Sequence, residues 1–577
     1  MQPSTPEAVL AAIARSGNEV TQGWLQLMSS AGATPTVSLA GLPAWLSALQ
    51  GAAARAGAVH ASYVAKQSEL WSALVAGERR EVVREDPQDK RFESPAWRES
   101  VYYDYLRQSY LLASRYVAEL VELAELGEEE KERARFAAGQ WVDAMCPANF
   151  PATNPQVLER ARTTGGESLA RGLGNLLADA QRGRISQTDE AAFELGRNVA
   201  VSKGHVVFEN DLIQLIQYKP AGAQVAARPL IIVPPCINKF YILDLQPENS
   251  FVRHALEGGQ MVFMVSWRNV GSEQGHFTWD DYLEKGVLAA CRVARDIAGS
   301  DRVNALGFCI GGTLLGAALA VLAAKGEALV SSATFLTAML DFSETGAIGV
   351  FVDPQSVALR EAAIGSGGVM QGQELATMFS SLRSNDLVWP YVVKGYLLGE
   401  RPPAFDLLFW NADGTNLPGP MFCYYLRNTY LENKLSRPGA LVNLGVPVDL
   451  GKISIPVFVY SSREDHIVPW RAAYRTVGLV SGPKTFVLGA SGHIAGVVNP
   501  PAKKKRSYWA SESGSYPADP DDWLSQAEEH PGSWWPVWLQ WLTTHAGDPR
   551  PAPRAPGSVQ YPPLEPAPGR YVKDRIH

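Results

Sequence analysis

Cysteine is scarce in this chain: five among 577 residues, at Cys146, Cys236, Cys291, Cys309 and Cys423. No two form a CxxC pair or stand at metal-ligand spacing, which removes a zinc module and a disulfide framework from consideration. An odd, scattered set suits a reducing cytosol. A basic excess is lacking too, with 52 Lys and Arg against 59 Asp and Glu and a net charge of −7. No global positive field therefore speaks for nucleic acid. No apolar run reaches the ~18 residues of a bilayer span; the longest candidate, Leu314 to Ala324, falls short. The N-terminal stretch has no basic segment followed by an apolar core, so no signal peptide is expected and a cytoplasmic location is. Nor does any motif call for a cofactor or a metal. Hydrophobic content of 46% against 19% charged residues describes a globular chain of about two to four domains.

What is present begins at Val303. The stretch VNALGFCIGGTLLGAALAVL, ending at Leu322, reads as strand, sharp turn, helix. Cys309 stands at the turn, between Gly307 on one side and Gly311 and Gly312 on the other. In a nucleophile elbow the central residue adopts strained backbone geometry and projects above the sheet edge, so its neighbours must be small. The usual central residue is Ser; here it is Cys. A buried Cys in a Gly-rich turn gives the same local pattern, so context has to decide.

Along the chain, residues 1 to about 90 read as amphipathic helix, with apolar clusters at Trp24, Leu25, Leu27 and Met28, at Trp45, Leu46 and Leu49, and at Tyr63, Leu70, Trp71 and Leu74. They suit packing against a neighbouring domain or subunit, or adsorption to an apolar particle. Helix continues from Asp86 to about Asn198, with aromatics at helical spacing that read as core. The pattern then changes. HVVFENDLIQLIQYKP reads as a strand pair turning near Asn210. RPLIIVPP, QMVFMVSW, VNALGF, SSATFLTAML, IPVFVYSS and KTFVLGAS follow as strands, with helical stretches between several of them. Strands alternating with helices predict a mostly parallel α/β sheet. The domains expected are a helical 1–198 and a catalytic 199–577, the latter with an aromatic-rich insertion over about 341–451 that reads as a cap. Lys503 to Arg506 reads as a solvated charge run, and the Pro-rich tail from about Pro549 as extended.

A nucleophile elbow needs an acid and then a histidine, in that order along the chain. Two later strands end suitably, IPVFVYSSRED at Asp465 and KTFVLGASGH at His493. In a doubly wound sheet both ends share an edge with the elbow. Cys309, Asp465 and His493 are therefore the expected catalytic trio. His493 would take the thiol proton; Asp465 would orient the imidazole or serve as a second acid/base. His466 is adjacent to Asp465, and because neighbouring side chains diverge, a supporting role is expected of it. Oxyanion donors are expected from the Ile310 N–H and from the loop after RPLIIVPP, at the N–H of Cys236 or Ile237. Cysteine at the elbow also selects a chemistry. A thioester on Cys keeps the transfer potential of an incoming thioester, so acyl transfer is favoured over hydrolysis where water is excluded, as an aromatic cap would do.

Several stretches closely resemble the class I polyhydroxyalkanoate synthases: GFCIGGT at the elbow, INKFYILDL from Ile237, FMVSWRN from Phe263 and AFDLLFWN from Ala404. YLENKL, SSREDHIVPW, SGHIAGVVNPP and the closing APGRYVK add to the match. The similarity covers most of the chain from about Asp86 and weakens over the first 85 residues. The resemblance implies an α/β-hydrolase catalytic domain with a mobile cap behind a helical N-terminal domain. It implies polymerisation of (R)-3-hydroxyacyl-CoA, 3-hydroxybutyryl-CoA foremost, with release of CoA at the surface of a cytoplasmic polyester granule. A homodimer and phasin-type granule proteins are the implied partners. The family's nucleophile, Asp and His fall on Cys309, Asp465 and His493, with the Asp usually assigned to activating the incoming 3-hydroxyl. Trp410 matches a cap Trp linked to dimer or substrate contacts, and His466 is grouped with it on the substrate side. A thioesterase or intracellular depolymerase on the same fold, and a non-catalytic granule-coating protein, are the competing readings.

Overall fold

The computed structural model describes residues 52–87, 89–511 and 514–576, which group into two compact units. One holds the described residues of Met1–Asp189 together with Ala376–Ala404; the other holds Glu190–Leu375 and the described residues of Phe405–His577. The N-terminal stretch of the first unit ends at Asp189, and residues 376–404 of the 341–451 segment group with its helices. The apolar clusters around Trp24 and Trp45 lie outside the described residues.

The first unit is helical. Its main elements are α1 (Ala53–Ala76), α2 (Val101–Leu123), α3 (Glu128–Ala144) and α4 (Glu167–Arg182). Leu70 of α1 and Leu111 and Leu112 of α2 close over Val83, Phe92 and Trp97. Phe92 meets Trp97 edge-on at 5.0 Å, the arrangement their ring quadrupoles favour. Of the aromatics of the 86–124 stretch Phe92 and Trp97 thus supply core and Tyr103, Tyr105 and Tyr110 pack half-buried against it, while Tyr102 is exposed. Arg107 is buried on the same helix, and its charge is compensated by Glu85 and Asp104, each at 2.6 Å.

The second unit is built on an eleven-stranded sheet. Its strands are β1 (Gly204–Glu209), β2 (Ile213–Tyr218), β3 (Leu230–Val233), β4 (Val262–Trp267), β5 (Val303–Phe308), β6 (Val330–Leu336), β7 (Val457–Ser462), β8 (Lys484–Gly489), β9 (Ser507–Ala510), β10 (Glu528–Pro531) and β11 (Glu565–Pro566). The spatial order is β10-β9-β8-β7-β6-β5-β3-β4-β2-β1-β11. The six central strands, β8 through β4, are parallel. Antiparallel pairs flank them on both sides. Every residue of β3 to β7 is buried, because helices cover both faces, which is why these strands read as continuous apolar runs.

The strand order reverses where β3 sits between β4 and β5, and residues at the carboxyl ends of the central strands share one edge. Helix α5 (Ile310–Lys325) starts there. It is apolar all round, and Ile310 to Leu322 are buried without a break, as such a helix requires. Two further helices matter for the site, α6 (His493–Val497) and α7 (Trp535–Thr543). The edge strands β9, β10 and β11 have no counterpart in the sequence reading. They are short, polar or proline-bearing, and lack the period that marks a strand.

Candidate active site

Strand β5 runs straight into Cys309, whose backbone stands at φ 54° and ψ −129°. An L-residue there costs ~1–3 kcal/mol and persists only where its surroundings dictate it. They do. Cys309 N–H donates to the Leu336 carbonyl at 3.0 Å, and its own carbonyl accepts from Gly312 N–H at 2.8 Å. A Cβ on Gly311 would lie 2.6 Å from the Pro234 carbonyl oxygen, so the elbow and the β3 loop approach as closely as backbone allows. Gly311→Ala is accordingly expected to cost about 3 kcal/mol, read as a fall in the denaturant midpoint, because backbone and not a flexible side chain would have to move.

Asp465 follows β7 by three residues. Its Oδ1 accepts from the backbone N–H groups of Ile467 at 2.9 Å and Val468 at 2.8 Å, which fixes the carboxylate and leaves Oδ2 to one partner. That partner is His493 Nδ1, at 2.6 Å. His493 opens α6 four residues after β8 ends, and its ring stacks on Phe308 at 5.6 Å. With Nδ1 held by Asp465, Nε2 is the ring nitrogen left for Cys309, whose charge acts on this imidazole. Burial works against charge on this imidazole, but the Asp465 carboxylate first and Cys309 second outweigh it, holding its pKa up at about 10. Three residues spread over 185 positions thus act on one another, His493 hydrogen-bonded to Asp465 and under the charge of Cys309.

The loop after β3 supplies the facing wall. Cys236 is fully buried, and burial, with the nearby charge of Cys309, pushes its thiol pKa well up. It is a poor nucleophile there. Pro234 is pinned through its carbonyl by Trp267 Nε1 at 2.9 Å, and Ile237 through its carbonyl by Thr415 N–H at 2.8 Å. The Ile310 N–H is a first-turn amide of α5, which intrahelical bonding leaves free.

An elbow cysteine, a histidine held by a carboxylate and two neighbouring backbone loops are the kind of parts from which acyl-transfer sites are built. The model for the poly-beta-hydroxybutyrate polymerase N-terminus matches residues 88–255, and that for the alpha/beta hydrolase fold matches 229–500. The poly(3-hydroxyalkanoate) polymerase subunit of Cupriavidus necator is 53% identical over 541 residues, covering 92% of this chain and 91% of the relative. The poly(3-hydroxyalkanoate) polymerase of Methylorubrum extorquens is 42% identical, over 85% and 82%. The chain belongs to the poly(3-hydroxyalkanoate) polymerase family. It is an enzyme of the acyltransferase type on an α/β-hydrolase fold.

In this polymerase Trp410 is buried behind the β3 loop, its Nε1 donating to the Lys239 carbonyl at 2.7 Å. The Lys239 ammonium is itself buried and donates to the backbone carbonyls of Asp574 at 2.7 Å and Tyr571 at 3.3 Å. Burial lowers its pKa. Tyr241 O–H donates to Asp413 at 2.8 Å. The closing residues and the Trp410 helix thus hold the polymerase's β3 loop from behind. The sequence reading passed over Lys239, although a lysine inside the apolar run INKFYILDL is an uncommon charge that needs a partner. It also left the Trp-rich segment without a task. Trp534 and Trp535 are buried and donate to the carbonyls of Gly496 at 3.0 Å and Val497 at 2.8 Å, bracing the helix that begins with His493. His466 is half-buried, and its carbonyl accepts from Ala347 N–H at 2.8 Å. Lys503, Lys504 and Lys505 are exposed, as a solvated run would be. Among the described residues no helix is long and apolar enough to cross a membrane.

Proposed function

We propose that this polymerase extends polyhydroxyalkanoate from (R)-3-hydroxyacyl-CoA, with 3-hydroxybutyryl-CoA the foremost substrate, through acyl thioesters on Cys309. The observation that carries the reading is the line Cys309–His493–Asp465 at an elbow whose nucleophile is sulfur. In loading, His493, held protonated by the Asp465 carboxylate against its burial, keeps the Cys309 proton on Nε2, and the thiolate attacks the substrate carbonyl. A bond from carbon to Cys309 sulfur forms, the bond to CoA sulfur breaks, and the proton passes from His493 to the departing CoA. The Ile310 N–H, with that of Cys236 or Ile237, holds the negative oxygen of the tetrahedral intermediate. In elongation the 3-hydroxyl of a second hydroxyacyl-CoA attacks the acyl-Cys309 carbonyl, giving up its proton to the His493–Asp465 pair and returning Cys309 as thiolate. The lengthened chain, ending in a CoA thioester, then reloads Cys309 and CoA departs. No net potential is lost at loading, because one thioester replaces another.

The helical unit is proposed to face the granule surface or a partner: among its described residues Trp71, Val75, Trp141 and Leu177 are exposed apolar side chains. A homodimer, phasin-type partners and a cytoplasmic granule location accompany the family resemblance. Purified protein mixed with (R)-3-hydroxybutyryl-CoA is expected to release many equivalents of CoA per chain and to form insoluble polyester. Release of CoA with free 3-hydroxybutyrate as the only acyl product would make the protein a thioesterase and overturn the reading.

A further inference from the structure

The sheet edge that carries Asp465 and His493 also carries a cluster of cations, and the loading and elongation steps use none of them. Strand β9 runs antiparallel to β8, so the residues that precede it, Lys503 to Arg506, lie at the edge where β8 ends and the loop to His493 begins. There Ala490 N–H donates to the Ser507 carbonyl at 2.9 Å. On the other side of β8, Arg463 is the first residue after β7. Its N–H donates to the Gly489 carbonyl at 2.8 Å, and its guanidinium lies over the Trp509 ring of β9 at 4.9 Å. Glu464 N–H then donates to the Ser491 carbonyl at 3.0 Å. Arg463 and the 503–506 run thus flank the loops that present Asp465 and His493.

These cations are uncompensated. From His466 to Ser511 the sequence holds seven Lys and Arg and no Asp or Glu. Arg471 and Arg475 are paired with Asp521 and Glu344, and Lys484 is turned to the carbonyls of Val477 and Val480. Among the described residues, Arg463 and the cations of 503–506 make no ion pair; all are exposed, and Glu464 is the exposed acid beside them. A chain of net charge −7 repels polyanions on average, so a local positive edge is what lets one approach. Lys504 and Arg506 also hold left-handed backbone, at φ 47° and 69°, a strained state that collects at ligand-binding segments. Lys504 and Tyr508 line a pocket of about 400 Å³ with Pro501, Pro531, Gly532 and Ser533. Tyr508 is backed by His530, ring centroids 5.1 Å apart. Aromatic and proline walls beside a cation suit a flat heteroaromatic ring that carries phosphate.

The lengths suit acyl-CoA. Three steps of ~3.8 Å lead from His493 back to Ala490, and the ladder partner of Ala490 sits ~5 Å away, so Arg506 lies within about 20 Å of His493. Extended pantetheine spans about 15 Å from its sulfur to the diphosphate, and a Lys or Arg side chain adds about 6 Å. We propose that this edge holds the nucleotide end of the acyl-CoA: Arg463 and Lys503 to Arg506 receive its diphosphate and 3′-phosphate, and the Tyr508 pocket receives its adenine. The assignment rests on the polymerase reading and adds to it the place where CoA is held while its thioester meets Cys309.

The test compares (R)-3-hydroxybutyryl-CoA with the N-acetylcysteamine thioester of the same acid, which ends before the diphosphate and the adenosine. Initial rates of thiol release are read in the full-length protein and in the triple variant Lys503→Gln, Lys504→Gln, Lys505→Gln, whose altered side chains are exposed and carry no core. For the CoA ester kcat/KM is expected to fall about tenfold or more, carried by KM, while for the short thioester it changes less than about twofold. Adenosine 3′,5′-bisphosphate is expected to inhibit CoA release competitively, with a Ki weakened about tenfold in the variant; this arm decides if the short thioester is not turned over. Equal losses on both thioesters, an unchanged KM for the CoA ester, or no competitive inhibition by the bisphosphate would overturn the assignment. Absence of CoA release from (R)-3-hydroxybutyryl-CoA in the unsubstituted protein would instead strike the polymerase reading itself.

Discussion

Cys309→Ala is expected to lower CoA release from (R)-3-hydroxybutyryl-CoA by about 10⁴-fold or more, with thermal unfolding close to that of the unsubstituted protein. Removing a nucleophile removes the covalent path entirely, and what is left is the modest help of oxyanion donors and binding. Alanine meets the strained backbone at position 309 on the same terms as cysteine, since the strain belongs to the Cβ at φ 54° and not to the sulfur. Activity and stability should therefore separate cleanly. Cys309→Ser sharpens the argument. An oxygen ester has less transfer potential than the thioester it comes from, so loading still runs downhill but elongation no longer starts from an activated acyl group. This variant is expected to release at most about one CoA per chain and to accumulate acyl-enzyme, visible by intact mass, without polymer. Sustained polymer formation by Cys309→Ala would show that another residue carries the chain.

Much of this arrangement is legible in the sequence. The six parallel strands announce themselves because burial on both faces forces unbroken apolar runs. The ordering of nucleophile, acid and histidine names Cys309, Asp465 and His493 because strand ends in such a sheet must share an edge. What escapes is held by contacts with no local signature. Lys239 is satisfied only by carbonyls more than 330 residues further on. Trp534 and Trp535 look like ordinary core until their indole N–H groups are seen to meet the helix of His493. Tyr430 is a further case. In the sequence it is one aromatic among many in a poorly periodic stretch, and only the fold shows it packed edge-on against Phe342 and Tyr425.

Asp465→Asn is the second substitution with a large expected effect, a loss of about 10³-fold or more in CoA release. The carboxylate is the largest of the influences that hold the His493 pKa at about 10 against burial. Asparagine keeps the shape and the bonds from Ile467 and Val468 but removes the charge, so burial then dominates and the imidazole pKa falls. An amide can present either its oxygen or its nitrogen to the ring, so it ceases to dictate that Nδ1 carries a proton, and Nε2 is no longer reliably the nitrogen that exchanges its proton at Cys309. The sign of the stability effect follows. A histidine pKa raised above its ordinary 6.5 contributes stability that is complete below that value and is lost as pH rises through about 10. The variant's stability deficit should therefore be widest on the acid side of that window and narrow as pH climbs towards 10. Histidine-selective labelling and NMR titration, with the His493 signal assigned by its loss in His493→Gln, reads the pKa directly. The expected order is unsubstituted protein highest, Cys309→Ala lower and Asp465→Asn lowest. A His493 pKa unmoved by Asp465→Asn would mean that the carboxylate only positions the ring, and the loss of rate would then have to be explained by geometry alone.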